Sequence, residues 1–311
     1  MVCSQRPVEI LDGLFFVERG YLNGNHFVYR CDEPVLIDTG YASGVETTER
    51  VITNLGVDIS RVKLIVNTHC HCDHVGGNWK IQQESGCDIA MHAIGKHFID
   101  TRDAWSTWWS YYVQEAEFFQ CTRGLRDGDV IVLGPHEFKV IYTPGHSADG
   151  IVLYNSANKL LLSSDTLWER DLAVITVRVE GSRAIFSMLE SLDRIEQLEV
   201  KTVYPGHGRP FTDVAAALTS SRKRLHDFLE NPKRMGNDLL KKIIVYTLMM
   251  KRSVDEDSFF DYLMTTPWFV ETVDHYFNGE YERKYRDVIK KCHGRGIIKC
   301  RDGRMYTTVK P

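Results

Sequence analysis

The sequence predicts an α/β fold, and three observations carry that prediction. Short apolar runs of strand length alternate with stretches of helical periodicity through roughly the first 230 residues. Four of those runs stop at a polar loop that bears histidine or aspartate, and loops at such strand ends are where α/β proteins assemble sites. The length of 311 residues accommodates one large domain with an appendage, or two modest ones.

In chain order, LFFVERG, HFVYR and PVLIDTG are β-branched or aromatic runs separated by Gly, Asn and Asp, and they read as strands. A helix follows over 43–55. RVKLIVNT is a nearly continuous apolar run that stops at His69, where the chain reads HCHCDHVGG. The same arrangement recurs in FKVIYT before PGHS, in KLLLSS before DTLW and in KTVYP before GHG, which deliver His146, Asp165 and His207. Helical periodicity covers 182–198 and 212–230. NPKRMGN at 231–237 combines Pro, Gly, Asn and charge and reads as a linker, so the expected domains are 1–230 and 238–311. The second should hold three helices and a β-hairpin turning at Asp302-Gly303.

The histidine-rich loop is the centre of the chemistry. His69 and His71 stand two apart in an extended loop, so both rings can face one ion. With His146 they make three imidazoles, the set that leaves an open position on a catalytic metal. Asp73, His74 and His207 then supply a second ion, and the two oxygens of Asp165 suit a bridge between them. Gly76-Gly77 let the turn after the loop pack tightly. Alternation turns Cys70 and Cys72 away from the face shared by His69 and His71, and their spacing is wrong for a thiolate pair.

These motifs resemble those of the metallo-β-lactamase-fold hydrolase superfamily. THCHCDHVGG at 68–77 is similar to its signature loop, and PGHS, SSDT and YPGHG, around His146, Asp165 and His207, to its later motifs. VLIDTG at 35–40 resembles the segment preceding the signature, with Asp38 placed behind the ligands. The resemblance spans about residues 8–230 and implies an αβ/βα four-layer metallo-β-lactamase sandwich with a dinuclear site at one edge. Asp165 resembles the glyoxalase II, lactonase and nuclease branches and departs from the zinc β-lactamases, while His71 separates the chain from flavodiiron proteins. GHGRPFT differs from the glyoxalase II continuation, which places glutathione specificity in doubt. The expected function is dinuclear, metal-dependent hydrolysis of a small ester, thioester or lactone, with a metal-bridged hydroxide as nucleophile oriented by Asp73. A phosphodiesterase or ribonuclease is one alternative, and a signal-responding regulator with a residual site is another. The cofactors expected are two divalent ions, zinc first, with iron or manganese also suited to His/carboxylate ligation.

Two further regions bear on the substrate. AWSTWWSYYVQEAEFF at 104–119 reads as a helical insertion with Trp105, Trp108, Trp109 and Tyr112 on one face. One reading is core packing or a homodimer contact; the other is an aromatic wall over the metals. The tail beyond 237 resembles the winged-helix appendage of some superfamily members, a ribonuclease branch among them. Glu280 to Pro311 carries ten Lys/Arg against four acids, which suits phosphates or else a solvated or subunit-contacting basic face. The overall net charge of -4 argues against a protein that coats nucleic acid over its whole surface. With no leader-like start and no eighteen-residue apolar run, a cytoplasmic, non-membrane protein with a small-molecule substrate and reduced cysteines is expected.

Overall fold

The computed structural model describes residues 6–311. A seven-stranded sheet forms first, with its strands in chain order: β1 (Val8–Leu11), β2 (Leu14–Val17), β3 (His26–Tyr29), β4 (Val35–Ile37), β5 (Leu64–Val66), β6 (Asp88–His92) and β7 (Arg123–Leu125). β1 to β4 pair antiparallel and β4 to β7 parallel. Parallel neighbours need long crossovers. Helix α1 (Val45–Asn54) lies between β4 and β5, α2 (Cys72–Val75) and α3 (Asn78–Ser85) between β5 and β6, and α4 (Ala93–Asp100) after β6.

The second sheet has five strands, β8 (Val130–Leu133), β9 (His136–Tyr142), β10 (Ile151–Asn155), β11 (Leu160–Ser164) and β12 (Thr202–Pro205). Only β11 and β12 pair parallel, and α5 (Val177–Glu180) and α6 (Ala184–Glu196) lie in their connection. Helix α7 (Val214–Glu230) follows β12.

Strand periodicity builds the layers. Val35 and Ile37 of β4 join Phe138, Val140, Leu153 and Leu162 of the second sheet in one cluster between the sheets. Leu36, between them in sequence, belongs to an outer cluster with Val51 and Ile52 of α1. Leu161 and Val203 meet α6 and α7 through Met188, Leu192, Leu218 and Leu225 in the same way. Side chains two apart share a sheet face, so the central strands of both sheets are buried on both sides and the order is helix, sheet, sheet, helix. Truncating a leucine in either cluster to alanine would cost about 2–5 kcal/mol. The four runs that precede the ligand loops are the strands β5, β9, β11 and β12.

The stretch NPKRMGN, which reads as a linker, is instead the start of a 20-residue helix, α8 (Pro232–Lys251). Proline suits the first helical turn, where its missing N–H has no helical partner. Gly236 leaves room for Tyr276, since a Cβ there would come within 2.7 Å of that ring. β13 (Val254–Asp255) precedes α9 (Phe259–Met264) and α10 (Pro267–Phe277). These two helices break at Thr266-Pro267 a stretch whose pattern reads as one helix. Helix α11 (Tyr281–Gly294) leads to β14 (Ile298–Arg301) and β15 (Arg304–Thr307), and the small sheet has the order β13-β15-β14. Its hairpin turns at Asp302 (φ 52°) and Gly303 (φ 69°), the left-handed pair a tight hairpin requires. Leu240, Ile244 and Leu248 of α8 belong to the outer cluster, so the core continues into the C-terminal helices. No helix of the described residues is long and apolar enough to cross a membrane.

Candidate metal centre

Beyond β5 the chain leaves the sheet through Asn67 and Thr68 and reaches His69. His71, with extended backbone (φ -68°, ψ 148°), is the N-cap of α2. Asp73 and His74 are therefore the two central residues of that four-residue helix, shortly after His69. The loops after β9, β11 and β12 bring His146, Asp165 and His207 to the same edge of the sandwich.

The ligand-type atoms of His69, His71 and His146 lie within 4.8 Å of one another, and so do those of Asp73, His74 and His207. Asp165 groups with His69 and His74 and straddles the two sets. Its Oδ2 is 3.3 Å from His146 Nε2 and 3.7 Å from His207 Nε2, while Oδ1 is 3.6 Å from His74 Nε2. Asp73 Oδ2 lies 3.1 Å from His207 Nε2. The seven residues singled out in the sequence thus sit in one cluster.

The far side of each ring is fixed by a different part of the chain. His74 Nδ1 is 2.8 Å from Asp38 Oδ2, His146 Nδ1 is 2.7 Å from the Val174 carbonyl, and His207 Nδ1 is 3.2 Å from the Gly20 carbonyl. His69 Nδ1 faces the hydroxyls of Thr68 (3.2 Å) and Ser164 (3.4 Å). These contacts set tautomer and ring orientation and turn Nε2 of these four histidines inward. Gly24 permits the close approach: a Cβ at that position would stand 2.7 Å from the His74 ring. Gly76 and Gly77 pack against the Thr39–Ala42 segment, where added side chains would collide with backbone or Thr39.

The electrostatics are those of a cation site. Burial, reinforced by neighbouring imidazoles, holds His69 and His71 well below the usual histidine range. At His74 burial opposes the charge, but Asp165, Asp38 and Asp73 outweigh it and push the pKa well up. Burial likewise opposes ionisation of Asp165, and His207 and His74 override it and lower the pKa. The buried Nε2 atoms of His69 and His74 have no hydrogen-bond partner, a cost of about 1–3 kcal/mol for each unmatched group, and His71 presents its Nδ1 to His146 Nε2 at 3.0 Å. Lone pairs on imidazole nitrogens converging with carboxylates are what divalent metals take, so the residues present fit such ions.

The cysteines of the loop point elsewhere. Cys70 Sγ donates to Asp149 Oδ1 (3.4 Å) and Cys72 Sγ lies 3.6 Å from Tyr246 Oη. Burial pushes both thiols well above their ordinary range.

The aromatic stretch is not a helix. Residues 104–113 form successive turns, because Asp103 Oδ1 accepts the N–H groups of Trp105 and Ser106 (3.1 and 3.0 Å) and Trp108 takes a left-handed backbone (φ 72°). The shared face expected from helical spacing does not form. Trp108 lies over His71 at 3.8 Å between ring centroids and 5.0 Å from His146. Tyr112 is buried behind it. Trp109 donates to the Cys70 carbonyl (3.1 Å) and packs on Phe118, and Trp105 is 37% exposed beneath Arg178.

Sequence reasoning missed four participants. Trp168 donates to Asp165 Oδ1 (3.3 Å) and stands edge-on to His207; its place in DTLW was the available signal. Glu180 accepts the Trp108 indole N–H, and Tyr246 approaches from α8; neither carries a local signal. Asp149, three residues after His146, is fully buried with Oδ2 unpartnered, and burial pushes it up to about 6.

The family model described as "Metallo-beta-lactamase superfamily" matches residues 19–207. The chain is 27% identical over 230 residues to an acyl-coenzyme A thioesterase of Bos taurus, covering 64% of this chain and 80% of that one. It is 30% identical over 156 residues to a hydroxyacylglutathione hydrolase of Rhodospirillum rubrum, covering 50% and 52%. Among solved structures, a metallo-beta-lactamase family protein from Thermus thermophilus superposes with a TM-score of 0.63 at 20% identity, over 96% of this chain and 100% of that one. This last likeness is one of fold.

Proposed function

The chain belongs to the metallo-beta-lactamase superfamily and is a metal-dependent hydrolase; from that premise we propose that it hydrolyses thioesters at a two-ion centre. The observation that carries the two-ion reading is the reach of Asp165 to both histidine groups. In this reading His69, His71 and His146 would hold one ion and Asp73, His74 and His207 the other, with Asp165 available to both. Zinc is the ion the donor set suits first. The thioester choice is supported by relatives named for acyl-coenzyme A and hydroxyacylglutathione. The departure after His207 favours a carrier other than glutathione.

Bound ions of this kind act as Lewis acids that bring a water towards ionisation near neutral pH and polarise an acyl carbonyl. The chain's own residues do the rest. Asp73 is partly exposed, and in this reading its carboxylate orients the attacking water. Trp168 steadies the Asp165 carboxylate through its indole N–H. Trp108 covers His71 and keeps bulk water from that side. Residues 238–311 form a winged-helix-like unit in this reading, whose helix α8 brings Tyr246 to the loop.

The test is metal analysis of the purified chain, followed by hydrolysis assays after chelation and reloading. Acyl thioesters should be cleaved in preference to RNA and phosphodiesters, with two metals per chain. Fewer than one bound metal, or faster metal-dependent cleavage of RNA, would overturn the reading. Full metal occupancy with no turnover would favour a regulator.

A further inference from the structure

Two cavities lie side by side along the groove between α8 and α11, and Asn237 lines both. The larger, about 330 Å³, is ringed by Arg224, Arg234, Lys241, Lys291 and Arg295 against Asp227 and Asp238. Its remaining surface includes the apolar Phe228, Val288 and Ile297. The smaller, about 260 Å³, takes Lys233, Arg283 and Lys284 against Glu280 and Asp287.

Most of the acids are already committed. Asp238 binds Arg224 (2.7 Å) and Lys242 (2.8 Å), Asp227 binds Arg234 (3.0 Å), and Glu280 binds Arg283 (2.7 Å). Among the described residues, Lys233, Lys284, Lys291 and Arg295 have no carboxylate within 4.0 Å. Lys284 is the telling member. It is buried, and its ammonium contacts the Asn237 Oδ1 at 2.8 Å and the Phe277 ring at 4.0 Å, while Asp287 and Glu280 attract it only from beyond salt-bridge distance and Lys291 and Arg283 repel it. An ammonium held out of water with no carboxylate in contact is costly, and an anion in the groove would offset that cost.

We infer that this groove binds a phosphorylated organic anion. Several Lys and Arg side chains on packed helices suit phosphate oxygens, and the apolar wall suits an organic body. The cations converge between α7, α8 and α11; outside the groove, Arg286 of α11 is paired with Glu282, which interrupts the basic stripe that nucleic acid would need. Two connections lead to the metal centre. Tyr246, on α8 with Asn237 and nine residues or about 14 Å along it, stands beside Cys72, a span suited to the carrier arm of a substrate. Arg224 also binds Asp171 (2.5 Å), close in sequence to Val174, whose carbonyl holds His146, a route suited to a separate effector.

Titration of the metal-loaded full chain with adenosine 3′,5′-bisphosphate by calorimetry tests the site. Saturable binding should weaken about tenfold or more in the double variant Lys291→Glu/Arg295→Glu, whose exposed positions spare the fold, with the ligand-free melting temperature as control. Lys284→Met should act in the same direction. The ratio of kcat/KM for a phosphorylated-carrier thioester to that for its pantetheine counterpart separates the sources. A fall in that ratio in the double variant assigns the groove to the substrate arm; a steady ratio with weakened bisphosphate binding assigns it to an effector. The binding measurement stands whether or not thioesters are cleaved. No saturable binding, or equal binding in both proteins, would overturn the site. Tighter binding of a single-stranded oligonucleotide, lost in the same variant, would replace the small ligand with nucleic acid.

Discussion

His74 and Asp38 are joined through Nδ1 and Oδ2 at 2.8 Å, and the same carboxylate accepts the backbone N–H (2.9 Å) and hydroxyl (2.7 Å) of Thr68. Asp38 thereby ties the start of the histidine loop to one of its rings. Its own backbone is left-handed (φ 59°), a conformation asparagine tolerates better than alanine. Asp38→Asn should keep the fold and lower metal affinity about 10–100-fold. Chelator competition measures this, and unchanged affinity would refute the orienting role.

Asp165→Ala removes the carboxylate that reaches both histidine groups. Metal content and turnover should both collapse while circular dichroism stays native. Cys70→Ser and Cys72→Ser should keep their metal, because both sulfurs face Asp149 or Tyr246. Metal loss from either cysteine variant with Asp165→Ala unaffected would reverse the assignment.

The three tryptophans of the aromatic stretch should separate by readout. Trp108→Ala, beside His71, should change the ratio of long-chain to short-chain acyl specificity by roughly threefold to tenfold. Trp109→Ala, buried behind Cys70, should cost about 3–5 kcal/mol of stability instead. Trp105→Ala, half out in solvent, should cost less than about 1 kcal/mol. Kinetics with a chain-length series and thermal melts decide; an unchanged ratio for Trp108→Ala would exclude it from the pocket.

Asp149 gives a pH signature. Burial raises its folded pKa to about 6, above the unfolded value of about 3.9. Between those values the unfolded chain holds fewer protons, so stability falls as pH rises. Relative to Asp149→Asn, the native protein should lose about 2–3 kcal/mol between pH 4 and 7. Denaturant unfolding across that range measures it, and a flat difference would show that Asp149 ionises freely.

The ligand loops were legible because each follows a strand: β5 and β11 are buried enough to be written as nearly unbroken apolar runs, while β9 and β12 alternate buried with more exposed residues, and all four end in a polar ligand. The aromatic stretch was not, since helical spacing of tryptophans says nothing of the Asp103 side chain capturing two N–H groups or of Trp108 entering the left-handed region. Pro232 and Gly236 read as punctuation, yet one starts α8 and the other makes room for Tyr276. The carbonyls of Gly20 and Val174 left no trace, because a backbone acceptor has no side chain to announce it.

The contact of His207 with Gly20 also sets an order of assembly. Asn25, a few residues on, donates to the carbonyls of Pro205 and Gly208 at 2.9 Å, so the connection between β2 and β3 gains these contacts only once the last ligand loop is made. At about 5–20 residues per second, His207 leaves the ribosome about 7 to 28 seconds after His69. His69, His71 and His146 have all emerged well before His207, so of the two ligand groups the one formed by Asp73, His74 and His207 is the later to be completed on the growing chain.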